Sequence, residues 1–325
     1  MHKHIFASYA FSADGTAHKL NNGKVAQEIR NEGLAWVHLD GNIAQSQKWL
    51  KREVSYLDHL IIDALFAEEA RPRIIEFENG LLVILRGVNL DAESEVEDLA
   101  SIRLWIDESR IISIQKRNFS AIFNVAKKID QGKKIKNAPE FLYNLIYENL
   151  LLLAPLINNL NDRIDLIEDE MANNNYSDSL RESVSSIRKK VTIFKRYLLP
   201  QKDVLSHLKS HDNEWIDDWA RRHFQENHDQ ITHIVEELDE ARDRSKIVHE
   251  EISNAIADRL NKSMFKISLI ASIFMPLSFV AGLFGMNVGG IPGGSNPYGF
   301  YITLIFMTAA LGGVSFLLFK RKKLF

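Results

Sequence analysis

The sequence predicts an α+β domain with a largely antiparallel sheet flanked by helices, followed by long stalk helices and two C-terminal transmembrane helices. Three observations support this fold class. Strand-like runs occur only within residues 1–118, apolar residues recur at helical spacing from residue 119 onward, and residues 267–319 contain no Asp, Glu, Lys, Arg or His. Such an uncharged stretch is long enough to cross a bilayer twice.

The first domain, residues 1–118, mixes two kinds of segment. Runs rich in Ile, Val, Trp and Phe predict strands at residues 5–11, 35–39, 73–77, 81–88, 102–106 and 111–115. The short polar segments 78–80 and 107–109 predict hairpin turns between neighbouring strands. Helix-like segments cover residues 25–31, 44–54 and 58–70. Hairpins predict antiparallel pairing, so the helices are expected to cover a mostly antiparallel sheet.

Residues 119–266 predict a helical bundle and stalk, with breaks at residues 173–175, near Pro200 and around residues 211–213. The last helix is expected to begin near Trp215, because no Pro or Gly then occurs before Pro276. One helix over residues 215–286 would be about 108 Å long at 1.5 Å per residue. A mild kink is expected at Pro276, which removes one backbone hydrogen bond.

Two apolar runs, residues 267–286 and 300–319, predict transmembrane helices, since about 20 residues span a hydrocarbon core. Residues 287–299 form the connecting loop, and residues 320–325 form a basic tail. The alternative is a buried globular hairpin, which two adjacent full-length runs make improbable. Basic residues flank both runs on the outside of the pair, whereas the loop is uncharged. The positive-inside rule therefore predicts that both termini are cytoplasmic and the loop is external.

The composition excludes several classes of function. Without cysteine there is no disulfide scaffold, thiolate zinc site, cysteine nucleophile or iron–sulfur cluster. The 43 acidic residues outnumber the 40 basic ones, which argues against nucleic-acid binding. Neither a phosphate-binding P-loop nor a GxGxxG motif occurs. We therefore predict that the protein is not an enzyme and holds no cofactor.

The first predicted transmembrane helix carries a stripe of small, weakly polar or thioether side chains at three- and four-residue steps: Asn261, Met264, Ser268, Ala271, Met275, Ser278 and Gly282. One interpretation is ordinary helix packing, because small residues and hydroxyls mark membrane helix interfaces. The other is the lining of a pore. Two helices per chain cannot enclose a pore, so this second interpretation requires a homo-oligomer.

A glycine–methionine–asparagine sequence, Gly285-Met286-Asn287, ends this helix, and VGGIPGG follows it. With both placed between two C-terminal spans, the chain resembles the CorA superfamily of divalent-cation transporters, and in particular its ZntB zinc-transporter branch. Further segments resemble the same branch, so that the likeness covers nearly the whole chain: WVHL at 36–39, RPR at 71–73, WIDE at 105–108 and PQKDV at 200–204.

This resemblance implies a funnel-shaped homopentamer in the bacterial inner membrane. Gly285, Met286 and Asn287 would ring the periplasmic entrance, where the Asn287 amide oxygen would meet the hydrated cation. The resemblance also implies which residues form the constrictions and polar steps of the pore: Asn261, Met264, Ile267, Met275 and Ser278. Of these, Met264 and Ile267 would form a hydrophobic gate that closes by dewetting.

The same resemblance implies uptake of Zn²⁺, with proton coupling and with Co²⁺, Ni²⁺ or Cd²⁺ as further substrates. Val288–Tyr298 contains no carboxylate, unlike the magnesium-type relatives. Neither span supplies an inner-shell zinc ligand or an ionisable proton carrier, so we expect passage of a largely hydrated ion. The alternatives are a CorA-type magnesium or cobalt channel and a membrane-anchored scaffold or metal sensor.

Ionisable side chains on the stalk are the remaining candidates for metal binding: Glu236, Asp239, Glu240, Asp243, His249 and Glu250. Such residues can form a solvated helix face with i,i+4 ion pairs, or they can line a funnel that attracts cations. A further pair, His207 and His211, has the i,i+4 spacing of zinc ligands but lacks a third ligand in the sequence.

Overall fold

The computed structural model describes two compact units, Met1–Glu250 and Glu251–Phe325. The structure described here covers residues 4–21, 23–54, 56–68, 71–89, 98–173, 175–210, 215–289 and 296–320, with the backbone alone for 314–320. Each unit is described separately below.

The first unit is built on a seven-stranded sheet with the order β2-β1-β3-β7-β6-β5-β4. Its strands are β1 Ile5–Phe11, β2 Ala17–Lys19, β3 Ala35–Asp40, β4 Arg73–Phe77, β5 Gly80–Gly87, β6 Ala100–Ile106 and β7 Arg110–Gln115. Among these strands β3 and β7 pair in parallel, and every other pairing is antiparallel. The predicted, largely antiparallel sheet is confirmed.

Three helices cover one face of the sheet: α1 Val25–Arg30, α2 Ala44–Glu53 and α3 His59–Phe66. Side chains alternate between the two faces of a strand, so Val37 and Leu39 of β3 point to this side. Both are fully buried in a cluster with Trp49 and Leu50 of α2. At the start of α3 the Asp58 carboxylate accepts a hydrogen bond from the Leu60 amide at 2.8 Å.

The opposite face of β3 carries Trp36 and His38, next to α4 Ser120–Asp130 and α5 Ala138–Ala172. The Ser113 hydroxyl joins both side chains, lying 2.8 Å from Trp36 Nε1 and 2.8 Å from His38 Nδ1. The hydroxyl donates to the Val37 carbonyl at 3.3 Å. It therefore accepts from both rings, and this network assigns the proton of neutral His38 to Nδ1.

Helices α5, α6 Asp178–Ser210 and the first part of α7 Asp218–Phe284 complete the first unit. Polar contacts connect them to the sheet and to each other. The Asn149 amide of α5 donates to the Arg86 carbonyl at 2.8 Å, and Gln201 of α6 accepts from the Arg86 amide at 2.7 Å. Between α7 and α5, Arg244 makes a two-pronged pair with Glu168, at 3.1 and 2.7 Å.

The second unit contains the end of α7 and α8 Gly299–Lys320. Two described helices, α5 and α7, are long and apolar enough to cross a membrane. Half of the apolar window of α5 is buried inside the first unit, as expected of a core helix, whereas none of the apolar window of α7 is buried. An apolar segment of α8, Gly299–Gly313, is shorter. The predicted membrane segments are therefore helices, and α7 runs unbroken through Pro276.

One strand was missed and two local predictions were wrong. The short strand β2 was not predicted, and α3 ends at Phe66 rather than near residue 70. The predicted break near Pro200 does not occur, because α6 continues through it to Ser210. A proline inside a helix costs about 3 kcal/mol. Buried Leu198, Val204 and Leu205 on the same helix offset that cost by packing. The predicted break at residues 211–213 lies outside the described residues.

Gly87 provides the first test of this packing. A Cβ atom there would collide with the Asn149 side chain and would lie 2.6 Å from Phe119 Cε2. Gly87→Ala should therefore lower the free energy of unfolding by about 1–3 kcal/mol, because an overpacked core must shift. Thermal unfolding of the full-length protein in detergent would measure this. Gly33→Ala, which has open space around it, is the control and should unfold near the wild-type temperature.

His38 predicts a pH dependence of stability. Burial is the main cause that lowers its pKa from 6.5 to about 4. Between these values the unfolded chain binds a proton that the folded chain does not, so stability falls as the pH falls. The loss should approach about 3 kcal/mol at pH 4. Urea titrations at several pH values should show a weaker dependence of stability on pH in His38→Gln. The exposed control His59→Gln should keep the wild-type dependence. An unchanged pH dependence in His38→Gln would show that His38 is not its source.

Candidate functional site

The end of α7 has one face that is half-buried within its own chain. Leu269, Ile273, Leu277 and Val280 form this row at steps of four, four and three residues. On α8 a matching row, Thr303, Met307 and Leu311, recurs every four residues. Both spacings follow one side of a helix. Since both rows belong to the second unit, we infer that they are the surfaces through which the two helices approach each other.

The predicted stripe lies on the other side of α7. At 100° per residue its centre is roughly 160° from the half-buried row. Its members are all exposed in the single chain, with Met264 at 66% and Met275 at 72%. They are Asn261, Met264, Ser268, Ala271, Met275, Ser278 and Gly282, and Ile267 of the predicted gate is exposed on the same side. This side of the helix is therefore available to contact other molecules, including other copies of the chain.

The glycine–methionine–asparagine sequence directly follows α7. The Gly285 amide donates to the Ala281 and Gly282 carbonyls at 3.0 and 3.2 Å, which closes the last helical turn. The Met286 amide reaches the Leu283 carbonyl at 3.4 Å. A Cβ atom on Gly285 would lie 3.3 Å from the Ala281 oxygen, so glycine suits this close approach. Asn287 follows outside the helix, and its side chain is exposed.

The candidate carboxylates of the stalk differ in how they are paired. Asp239 forms ion pairs with Lys195 of α6 and, at 3.2 Å, with Arg242. The hydrogen bond from Lys195 lowers the pKa of Asp239. Asp243 also pairs with Arg242, at 3.0 Å. Glu250 lies 4.0 Å from Lys246, which is four residues earlier. These three carboxylates are therefore paired with cations within the chain.

Glu236 and Glu240 are different. Both are exposed, and neither forms an ion pair or a side-chain hydrogen bond with any part of the chain that the structure describes. They lie opposite the buried row of α7 that includes Leu238 and Ala241. Their negative charge is therefore not neutralised within the chain, which leaves it available to cations.

The predicted histidines are described only in part. His249 is half-buried, and His207 pairs with Glu76 at 3.3 Å. His211 lies outside the described residues. Among the residues that are described, no group of three or more His, Asp or Glu side chains could hold a metal ion. Sequence reasoning also missed the pairing of Asp239 with Lys195, because the two residues lie 44 positions apart on different helices.

Comparison with known proteins identifies the family of this chain. A family model described as CorA-like Mg²⁺ transporter protein matches residues 31–321. The chain belongs to the CorA-like transporter family. It is therefore a CorA-like divalent cation transporter, as the glycine–methionine–asparagine sequence predicted. Members of this family are ion transporters rather than enzymes.

Individual CorA-like relatives match almost from end to end. The divalent cation transporter CmaX of Pseudomonas aeruginosa is 31% identical, over 96% of this chain and 93% of its own length. The zinc transport protein ZntB of Pectobacterium carotovorum is 30% identical, over 99% of this chain and 97% of its own. The solved structure of full-length CmaX covers 98% of each chain with a TM-score of 0.81 at 28% identity, which confirms the fold class.

The unequal pairing of the stalk carboxylates predicts unequal effects on transport. The double variant Glu236→Gln/Glu240→Gln should slow divalent cation uptake by several-fold at low ionic strength, because it removes charge that attracts cations. The effect should shrink at high salt. Uptake into proteoliposomes would measure both.

Asp239→Asn is the matched control for this prediction. Its carboxylate is already paired with two cations, so uptake should change by less than about twofold. A collapse of uptake in Asp239→Asn, together with an unaffected double variant, would show that the paired and unpaired carboxylates have been assigned the wrong roles.

Proposed function

We propose that this protein takes up Zn²⁺ as a homopentamer in the bacterial inner membrane, through a central pore lined by α7. The observation that carries this proposal is the position of the uncharged stripe. It lies on the side of α7 away from the half-buried row, and Gly285-Met286-Asn287 follows at its end. Copies arranged with these stripes facing a common axis would enclose a polar path without exposing α8 to it.

The proposal assigns a role to each part of the chain. Residues 1–118 and 119–266 form the cytoplasmic domain and stalk, and the cytoplasmic tail is 320–325. Residues 267–286 and 300–319 cross the membrane, and 287–299 form the periplasmic loop. The charge distribution supports this topology, since Arg259, Lys262 and Lys266 precede the first span whereas the loop is uncharged.

At the entrance, the Asn287 amide oxygen would accept hydrogen bonds from the water shell of the cation. Further in, Met264 and Ile267 are large apolar side chains on the stripe, each 66% exposed in the single chain. Five copies of each around an axis would exclude water until the helices move apart, which is gating by dewetting. Ser268 and Ser278 would provide polar steps between the apolar ones.

Zinc is favoured by likeness to ZntB and by the loop. No carboxylate occurs between Val288 and Tyr298 to concentrate the strongly hydrated Mg²⁺. The stripe holds no thiolate, imidazole or carboxylate, so the ion would pass with most of its water, and Co²⁺, Ni²⁺ and Cd²⁺ would also enter. Magnesium or cobalt conduction is the second candidate, favoured by the description of the matching family.

The choice between these candidates follows from uptake into proteoliposomes that hold the purified full-length protein. We expect Zn²⁺ uptake that an inward proton gradient accelerates and that excess Mg²⁺ does not inhibit. Uptake that ignores the gradient and is blocked by Mg²⁺ would instead establish the magnesium channel. Absence of flux for both ions would leave a membrane-anchored scaffold or sensor.

Asn287→Ala tests the entrance. Removing an amide that contacts the hydrated cation should lower Zn²⁺ uptake at least about tenfold, the scale of one hydrogen bond to a charged group. The oligomer should stay intact on size-exclusion chromatography. Thr308→Val is the control, because that hydroxyl is satisfied within α8 by the Leu304 carbonyl at 2.7 Å. Wild-type uptake in Asn287→Ala would remove this residue from the transport path.

A further inference from the structure

The parallel strands β3 and β7 end side by side, with Asp40 paired to Gln115. The chain leaves these two ends toward opposite faces of the sheet. After β3 it enters α2, which packs on the face of Val37 and Leu39. After β7 it enters α4, whose Phe123 ring lies 5.9 Å from His38 on the other face. Such a divergence leaves a crevice outside the carboxyl ends of the strands, where α/β sheets bind ligands.

A cavity of about 260 Å³ occupies this position. Two phenyl rings, Phe6 and Phe123, form an apolar wall with centroids 6.3 Å apart and nearly perpendicular planes. Both remain substantially exposed, at 47% and 41%. The register of β1 against β3 shifts between Ile5 and Ala7, so Phe6 sits in a bulge. Bulges re-aim side chains and are frequent beside functional sites.

The polar side of the cavity carries a cationic side chain. Lys116 lines it and has no ion-pair partner within the described parts of the chain, whereas neighbouring Arg117 pairs with Asp98. The Lys116 stem passes close to Gly41, where a Cβ atom would lie only 2.9 Å from Lys116 Cγ. The side-chain amide of Asn42 donates a hydrogen bond to the backbone carbonyl of Lys116 at 2.6 Å. Glycine at position 41 therefore permits a close contact that orients Lys116.

Two further groups limit what can bind. The Asp40 carboxylate also lines the cavity and accepts a hydrogen bond from the backbone amide of Asn42 at 2.9 Å. Its negative charge would repel a dianion. Beneath the phenyl rings lies His38, 1% exposed, with its ring 5.5 Å from Phe6. Gln115, which lines the cavity, forms a side-chain hydrogen bond with this imidazole. Gln115 is only 5% exposed, so it adds a buried polar group to an otherwise aromatic wall.

We propose that this cavity binds a small organic monoanion, with a flat apolar body against Phe6 and Phe123 and a carboxylate at Lys116. This site lies wholly within the first unit and is separate from the path proposed for the cation. Its volume would hold one or two fused rings.

The probe for this proposal is 6-fluoronaphthalene-2-carboxylate, observed by ¹⁹F NMR with the full-length protein in nanodiscs. We expect saturable line broadening beyond that of empty nanodiscs. The Kd should lie below about 1 mM, because a binding free energy of about 0.3 kcal/mol for each non-hydrogen atom of the probe would provide this affinity. The uncharged 6-fluoronaphthalene-2-carboxamide should bind at least about tenfold more weakly, because it cannot pair with the ammonium group.

Two variants complete the test. Lys116→Met keeps the stem and removes the charge, so binding of the carboxylate should weaken about tenfold while binding of the carboxamide is unchanged. Lys127→Met, an exposed change on α4 away from the cavity, should bind like wild type. Absence of saturable binding at millimolar probe would overturn the proposal. Equal affinity for both probes, unaffected by Lys116→Met, would also overturn it by showing that the anion is not recognised.

Discussion

The distribution of charge along α7 is the constraint on which the rest of the structure depends. One helix of 67 residues must be stable both in water and in a bilayer. From Ile267 onward it carries no charge, and within a bilayer a helix satisfies its own backbone hydrogen bonds. Before that point it is strongly charged and weakly apolar. There a row of buried side chains that includes Phe224, Ile231 and Leu238 packs within the first unit, and ion pairs such as Arg244 with Glu168 add to this packing.

The single chain leaves a large apolar surface uncovered at its C-terminal end. Phe274, Met275 and Phe279 are 57–72% exposed, and Phe300 and Ile305 of α8 are similarly uncovered. A patch of this size is stable only against lipid or against other protein. Lipid suits the bulky aliphatic and aromatic sides, whereas the stripe of small and polar residues suits contact with protein or water. The oligomer that we propose satisfies both requirements.

Much of this architecture could be predicted from sequence because its determinants are local. Hydrophobic runs with polar turns predict β4–β7, and the missing charges predict the membrane helices. What escaped prediction depends on residues distant in the chain. Pro200 is tolerated because α6 packs along the sheet, where Gln201 accepts from the Arg86 amide. The pairing that distinguishes Asp239 from Glu236 likewise requires Lys195 on another helix.

Some stalk carboxylates are ion-paired and others are not, and this difference bears on how the protein would distinguish one divalent cation from another. In the role that we propose for them, unpaired Glu236 and Glu240 would attract any cation through long-range charge, which would raise local concentration without distinguishing Zn²⁺ from Mg²⁺. The stripe offers hydroxyl, amide and thioether groups, none of which is a strong inner-shell ligand for zinc. In the pore that we propose, discrimination between ions would therefore depend on the water shell itself. Mg²⁺ holds its shell tightly and demands octahedral geometry, so the entrance that we propose, formed by amides and lacking carboxylates, would disfavour it relative to a softer, more readily distorted hydrated ion.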